Sequence, residues 1–314
     1  SNWNRIAGAM QGRAVRWDSL VLGFAICLAA VLVTFLRWYL LVWAQGLPFR
    51  VRDSLRIGFI GYFFNLLIPG AVGGDLVKAV LLAREQQRKT VAIATVLIDR
   101  IIGLYGLILL GGLATGIFWD DVRKLPPLEL PAIGVKVNIA AFTLTLVAGS
   151  TVGLLILFIL AMQHDRWGDW VSRLPIVGGT LREAMGAMAV YRSKWPVLIL
   201  TTIMSIAGHV GFVLALRCGM AVVASSLPPT GVHFMIVPLG LMVGAVPLTP
   251  GGFGTVEAAM QGLFDSAEED GAMALLMMLA FRGMQVLVAI VGMLYYLASR
   301  RETRRALAEA TTSS

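Results

Sequence analysis

Pro247-Leu248-Thr249-Pro250-Gly251-Gly252-Phe253-Gly254-Thr255-Val256-Glu257 interrupts an apolar run that extends from His233 to Phe264. Proline removes a backbone donor and glycine admits conformations closed to other residues, so a helix entering this stretch ends in it and a new one starts beyond. A second run, Leu55 to Ala83, is broken in the same way around Pro69-Gly70-Ala71-Val72-Gly73-Gly74-Asp75. Each broken run is either one kinked crossing of a membrane or a re-entrant hairpin that returns to the face it came from. That choice decides the fold.

A membrane is implied by the rest of the chain. Five unbroken apolar blocks, Ser19 to Ala44, Val91 to Trp119, Asn138 to Met162, Pro196 to Arg217 and Ala272 to Ser299, each exceed the ~18 to 20 residues that cross hydrocarbon as a helix. Of the 314 residues 58% are hydrophobic and 14% charged, against roughly 25% charged in soluble domains. A soluble globular protein is excluded. The two cysteines, Cys27 and Cys218, both lie in apolar blocks, so neither a disulfide framework nor a zinc spacing is present. No metal and no cofactor are expected: there is no Walker A loop and no GxSxG, and His164 and His233 have no carboxylate or histidine at ligand spacing. The net charge of +8 is explained by basic loops flanking spans, and no nucleic-acid reader motif accompanies it.

Counting Lys and Arg by loop separates the two topologies. With both broken runs as hairpins, residues 45–56, 83–90, 163–195 and the tail after Ser299 share one side with 15 basic residues, and residues 1–18 and 119–137 share the other with six. With both as crossings the division is 11 against 10, which is no bias. The hairpins prevail. The expected organisation is an external segment 1–18, a first repeat 19–118 with its hairpin at 55–83, a connector 119–195 with a span at 138–162, a second repeat 196–299 with its hairpin at 233–264, and a cytoplasmic tail 300–314. The fold class is all-α, a polytopic helical membrane protein.

The hairpins then enter from opposite faces, so the repeats have inverted topology. Arg37, Pro69, Asp75 and Arg100 in the first correspond to Arg217, Pro250, Glu257 and Arg282 in the second. The Arg-to-Pro spacing is 32 and then 33, Pro-to-acid 6 and then 7, and acid-to-Arg 25 in both. Inverted repeats with discontinuous helices place a transporter's site at the midplane, between the break points.

Eight charges remain at membrane depth: Arg37, Lys78, Arg100, Arg217 and Arg282 against Asp75, Asp99 and Glu257. Each costs at least ~2.5 kcal/mol to insert, so they are expected to converge and pair. Two cations are left over, and an unpaired buried cation calls for an anion. Arginine suits a phosphate because its planar fork bonds two oxygens at once. Gly73, Gly74, Gly251 and Gly252 precede helices whose free N–H groups add to the attraction. Asp75 and Glu257 sit in first turns, where an acid either caps its own helix or pairs with Arg100 and Arg282. Pro69, Asp99 and Pro250 are assigned gating or structural roles.

Three further features carry less. Thr180-Leu181-Arg182-Glu183 has capping-box spacing before a short helix from Ala184 to Tyr191, and Trp167, Trp170, Trp195, Arg173, Arg192 and Lys194 suit a segment at the cytoplasmic headgroups. Gly112-Leu113-Ala114-Thr115-Gly116 is a GxxxG that serves close packing or a homodimer contact. His209, inside a span, is a packing histidine or a proton relay.

The paired motifs Asn65-Leu66-Leu67-Ile68-Pro69-Gly70-Ala71-Val72-Gly73-Gly74-Asp75, Asp99-Arg100 and the stretch from Pro247 to Glu257 resemble the lysylphosphatidylglycerol synthase transmembrane regions, a family of flippase-like membrane proteins. The resemblance covers roughly Ser19 to Arg300. It implies a bacterial inner-membrane protein that moves a lipid with a polar headgroup between leaflets, with Pro69, Gly73, Gly74, Asp75, Arg100, Pro250, Gly251, Gly252 and Glu257 as the positions that matter. Only 14 residues follow Arg300, so the aminoacyl-transferring domain of the lysyl-lipid synthases, and lysyl transfer with it, are not expected. Ser1 in place of Met raises the expectation of a removed preceding span. The expected function is a flippase or scramblase for an anionic, phosphate-bearing lipid, not an enzyme. The alternatives are a non-transporting subunit that presents a lipid-linked substrate to a lipid-modifying enzyme and an intramembrane lipid-phosphate glycosyltransferase.

Overall fold

The computed structural model describes residues 16–68, 73–130, 135–162, 186, 189–222, 224, 226–246 and 248–299. Helices are numbered in chain order. The first half holds α1 (Trp17–Ala44), α2 (Val51–Leu67), α3 (Gly73–Glu85) and α4 (Lys89–Ile117). A single turn, α5 (Trp119–Val122), and an antiparallel ribbon of β1 (Leu128–Leu130) and β2 (Val135–Val137) lead into α6 (Ile139–Met162). The second half holds α7 (Trp195–Ala221), α8 (Thr230–Val243), α9 (Thr255–Ser266) and α10 (Gly271–Ala298).

The five apolar blocks are α1, α4, α6, α7 and α10, of 24 to 29 residues. At ~1.5 Å per residue they reach roughly 36 to 44 Å, more than the ~30 Å of hydrocarbon. All five contain a stretch long and apolar enough to cross a membrane. Their outer faces carry bare aliphatic side chains, among them Leu97, Leu155, Ile203, Leu279 and Leu294, a belt that water would not tolerate and lipid does. The protein is an all-α, multi-pass membrane protein.

At the two breaks the chain makes short helices instead. α3, α8 and α9 have 13, 14 and 12 residues, only about 18 to 21 Å each, too short to cross alone. α2 packs along α3, and α8 along α9. The α8–α9 break is a glycine turn: Gly251, Gly252 and Gly254 have φ of 56°, 72° and 82°, the left-handed region in which a side chain is strained. Pro69 and Pro247 lie outside the described residues, as do the 180–183 capping box, Trp167, Trp170 and Arg173, residues 1–15 and the tail.

Packing between the halves follows a pattern of exchanges. α1 and α7 make the most extensive contact in the molecule. α2 lies against α10 while α8 lies against α4, and α3 touches α4 as α9 touches α10. Lipid tails are as apolar as leucine, so such contacts depend on close approach rather than on escape from water. Glycines supply it. A Cβ on Gly74 would collide with the Gly61 carbonyl across α2 and α3, one on Gly106 with Ser205 across α4 and α7, and one on Gly292 with the Phe59 carbonyl across α10 and α2. One apolar cluster forms in the first half around Trp38, Ile60 and Leu82, and another around Leu216, Met260 and Met277 of the second half, which Cys27 and Leu110 of the first half join.

Candidate functional site

Residues of both halves line a cavity of about 340 Å³. Arg37 of α1, Asp75 and Lys78 of α3, Asp99 and Arg100 of α4 and Arg282 of α10 form its charged wall. Gly74 and Gly251 bring both breaks to it, and Phe35, Leu104, Leu107, Phe212 and Phe281 add apolar side chains to the lining. The breaks touch each other: a Cβ on Gly251 would stand 3.3 Å from the Asn65 carbonyl oxygen at the end of α2.

The charges of the first half form a chain of contacts. Arg37 Nε donates to Asp99 Oδ1 at 2.8 Å, its Nη1 to Ser205 Oγ at 2.9 Å and its Nη2 to the Asp99 carbonyl at 3.2 Å. Asp99 Oδ2 lies 3.9 Å from Lys78 Nζ, which pairs with Asp75 Oδ1 at 2.7 Å and sits 5.4 Å from the Trp38 ring centre. The other Asp75 oxygen, Oδ2, accepts from Arg100 Nη1 at 2.8 Å. Arg100 then reaches across to the second break, where its Nη2 donates to the Ala245 carbonyl at 3.1 Å.

In the second half Arg282 Nε pairs with Glu257 Oε1 at 2.6 Å, and its Nη1 donates to the Gly251 carbonyl and to Gln285 Oε1, each at 3.0 Å. Among the described residues its buried Nη2 has no hydrogen-bond partner, and the guanidinium lies 4.2 Å from the Phe253 ring centre. The acid-to-arginine pairs 25 residues apart are therefore both made.

Capping and pairing are divided differently at the two breaks. Glu257 does both, since its second oxygen accepts the Gly254 N–H at 2.8 Å while the first holds Arg282. Asp75 gives both oxygens to cations. At α3 the capping role falls to Asn65 of α2, whose Oδ1 accepts the Gly74 N–H at 3.2 Å.

Not every residue singled out in the sequence reaches the cavity. Gly73 opens α3 against Ile68, and Gly252 lies on the Val256 side of the glycine turn, near Arg282. The structure does not bring Arg217 to the group: it donates to the Pro228 carbonyl at 2.8 Å and meets His233 Nδ1 at 2.9 Å. Pro250 precedes the glycine turn and accepts from Phe253 N at 2.9 Å. Glu257 is not in the cavity lining either and joins the group only through Arg282; with it, the group sets four cations against three carboxylates among the described residues, and one positive charge is left over rather than two. Asn65, Ser205, His209, Phe253 and Gln285 join the site without having been expected there. His209 sets Nε2 2.9 Å from the Gly103 carbonyl.

One family comparison covers the whole of this arrangement. The model of the lysylphosphatidylglycerol synthase TM region matches residues 9–292. The chain belongs to this family. The match spans both halves, both breaks and all eight intramembrane charges, so the site lies wholly inside the family region. No curated protein and no solved structure matches this family member.

Proposed function

We propose that this protein is a flippase or scramblase of the bacterial inner membrane that carries the headgroup of an anionic, phosphate-bearing lipid through the chamber between its two breaks. The carrying observation is the chamber itself: its lining, with Glu257 behind Arg282, sets four cations against three carboxylates, and apolar side chains share that lining. A buried excess cation is costly, and a phosphate diester brings the single negative charge that balances it. The headgroup is held by the charged side chains and the acyl chains follow the apolar ones.

In this reading the two halves are inverted repeats and the broken pairs α2–α3 and α8–α9 are re-entrant hairpins. The reciprocal packing of α2 on α10 and of α8 on α4 supports it, as do the equal acid-to-arginine intervals. The arginines then act as latches. Arg100 ties the first half to the Ala245 carbonyl, and Arg282 ties α10 to the Gly251 carbonyl. A phosphoryl oxygen competes for the same donors, so its arrival loosens one tip and shifts the balance between states open to either side.

Native mass spectrometry of the purified protein tests the binding step. The wild type is expected to retain an anionic phospholipid, and Arg100→Gln and Arg282→Gln to stay folded and lose it. Retention of zwitterionic lipid alone, or equal retention in all three proteins, contradicts the proposal.

A further inference from the structure

We propose that Asn65 is a further substrate-contacting residue, whose carboxamide NH2 donates to a phosphoryl oxygen held in the chamber. This rests on the anionic-lipid reading and adds a residue that charge counting does not find. The amide's orientation is fixed by its neighbour. Asn65 Oδ1 accepts the Gly74 N–H, only the oxygen of a carboxamide accepts, and the NH2 is therefore turned away from the start of α3.

The side chain lines the chamber at the point where the Asn65 carbonyl meets Gly251 of the opposite break. Among the described residues that NH2 has no hydrogen-bond partner. A second unpartnered donor, Arg282 Nη2, belongs to the other half of the same chamber. A buried donor without an acceptor is expensive, which applies to Arg282 Nη2; the half-buried Asn65 adds a donor open to the cavity, and the two together suit a ligand that offers several oxygens and no donor of its own at that point.

Capping alone does not account for asparagine here. Aspartate caps a helix N-terminus at least as well and gains from its dipole, and in a lining that holds Lys78 and Arg100 its charge would also cancel the excess. With asparagine the cap is made and the positive charge is left for something else. Four residues before Pro250 the second half has Val246 in the corresponding place, so this neutral donor is presented from one side of the chamber.

Asn65→Asp and Asn65→Ser separate contact from capping. Binding of a fluorescent phosphatidylmethanol, an anionic diester with no donor in its headgroup, is measured on the full chain in nanodiscs against phosphatidylcholine, together with the melting temperature. Asn65→Asp is expected to melt at or above the wild-type temperature and to bind phosphatidylmethanol at least about tenfold more weakly, the worth of one hydrogen bond to a charged acceptor. Asn65→Ser adds no charge and shortens the side chain out of reach, so it too is expected to lose roughly tenfold. If Asn65→Ser or Asn65→Asp binds like the wild type, Asn65 only caps α3 and the inference is overturned. A wild type that shows no preference for phosphatidylmethanol over phosphatidylcholine overturns the anionic-lipid reading itself, and this inference with it.

Discussion

The first and second breaks solve one problem with different residues. Both start a short helix beside the chamber, and both set an acid in its first turn against an arginine 25 residues on. The second is economical. Glu257 caps its helix and holds Arg282, while the positions matching Lys78 and Asp99 on the acid-to-arginine register are Met260 and Phe281, both buried in the apolar core. The first spreads the same duties over more groups: Asn65 caps, Asp75 holds two cations, and Asp99 fixes Arg37. The two halves thus share the acid-to-arginine pair while most of the polar groups lie in the first. The chamber takes five of its six charged lining residues from the first half and one, Arg282, from the second.

The comparison is sharpest where its outcome is all-or-none. In a background lacking Cys27 and Cys218, Gln87→Cys and Glu268→Cys place single thiols beyond α3 and beyond α9. Inverted halves require an impermeant maleimide added to intact cells to label the second and spare the first. Equal labelling would break the equivalence of the two halves.

Next in size is Asp99→Leu. Arg37 and Asp99 are both 7% exposed, and removing the acid leaves a buried guanidinium with its remaining partners only. A loss of about 3–5 kcal/mol is expected from denaturant or thermal unfolding in detergent. Phe281 occupies the matching place in the second half without a charge to satisfy, so Phe281→Leu is expected to cost less, about 1 kcal/mol.

Asp75→Asn and Glu257→Gln test the division of labour. Asp75→Asn removes the one carboxylate shared by Lys78 and Arg100 and is expected to cost about 2–3 kcal/mol. Glu257→Gln keeps an amide oxygen for the Gly254 N–H and is expected to cost about 1–2 kcal/mol. The reverse order would mean that capping outweighs pairing. The smallest effect belongs to Arg217→Gln, which stands outside the chamber. Its lipid binding should match the wild type, and its stability should fall within about 0.5 kcal/mol.

Much of this was legible in the residues. Length and apolarity are local properties, so the five spans stand out, and the equal 25-residue intervals mark both ion pairs because each joins the first turn of a short helix to the middle of the next long one. The fate of Arg217 was not legible. Its counterpart Arg37 is drawn inward by Asp99, whereas Arg217 has Phe281 at the matching place and lies in the last turns of α7, within reach of the Pro228 carbonyl and His233. Capping of α3 by a residue of α2 depends on a contact between helices, which spacing does not encode. Pro238 lies inside α8 without ending it, while the second break falls where three glycines with positive φ follow Pro250. Proline alone is tolerated in a membrane helix; the glycine cluster is the stronger sign of a break.

The central claim, that the chamber's excess cation carries an anionic headgroup across the bilayer, is tested most directly in proteoliposomes. Vesicles containing a fluorescent anionic phospholipid are assayed by quenching from outside, with wild type, Arg282→Gln and protein-free controls. The account predicts that wild-type protein exposes inner-leaflet probe to the quencher and that Arg282→Gln leaves it as protected as in protein-free vesicles. Movement at the wild-type rate in Arg282→Gln, or protection of the inner leaflet by wild-type protein that still binds the lipid, would contradict it.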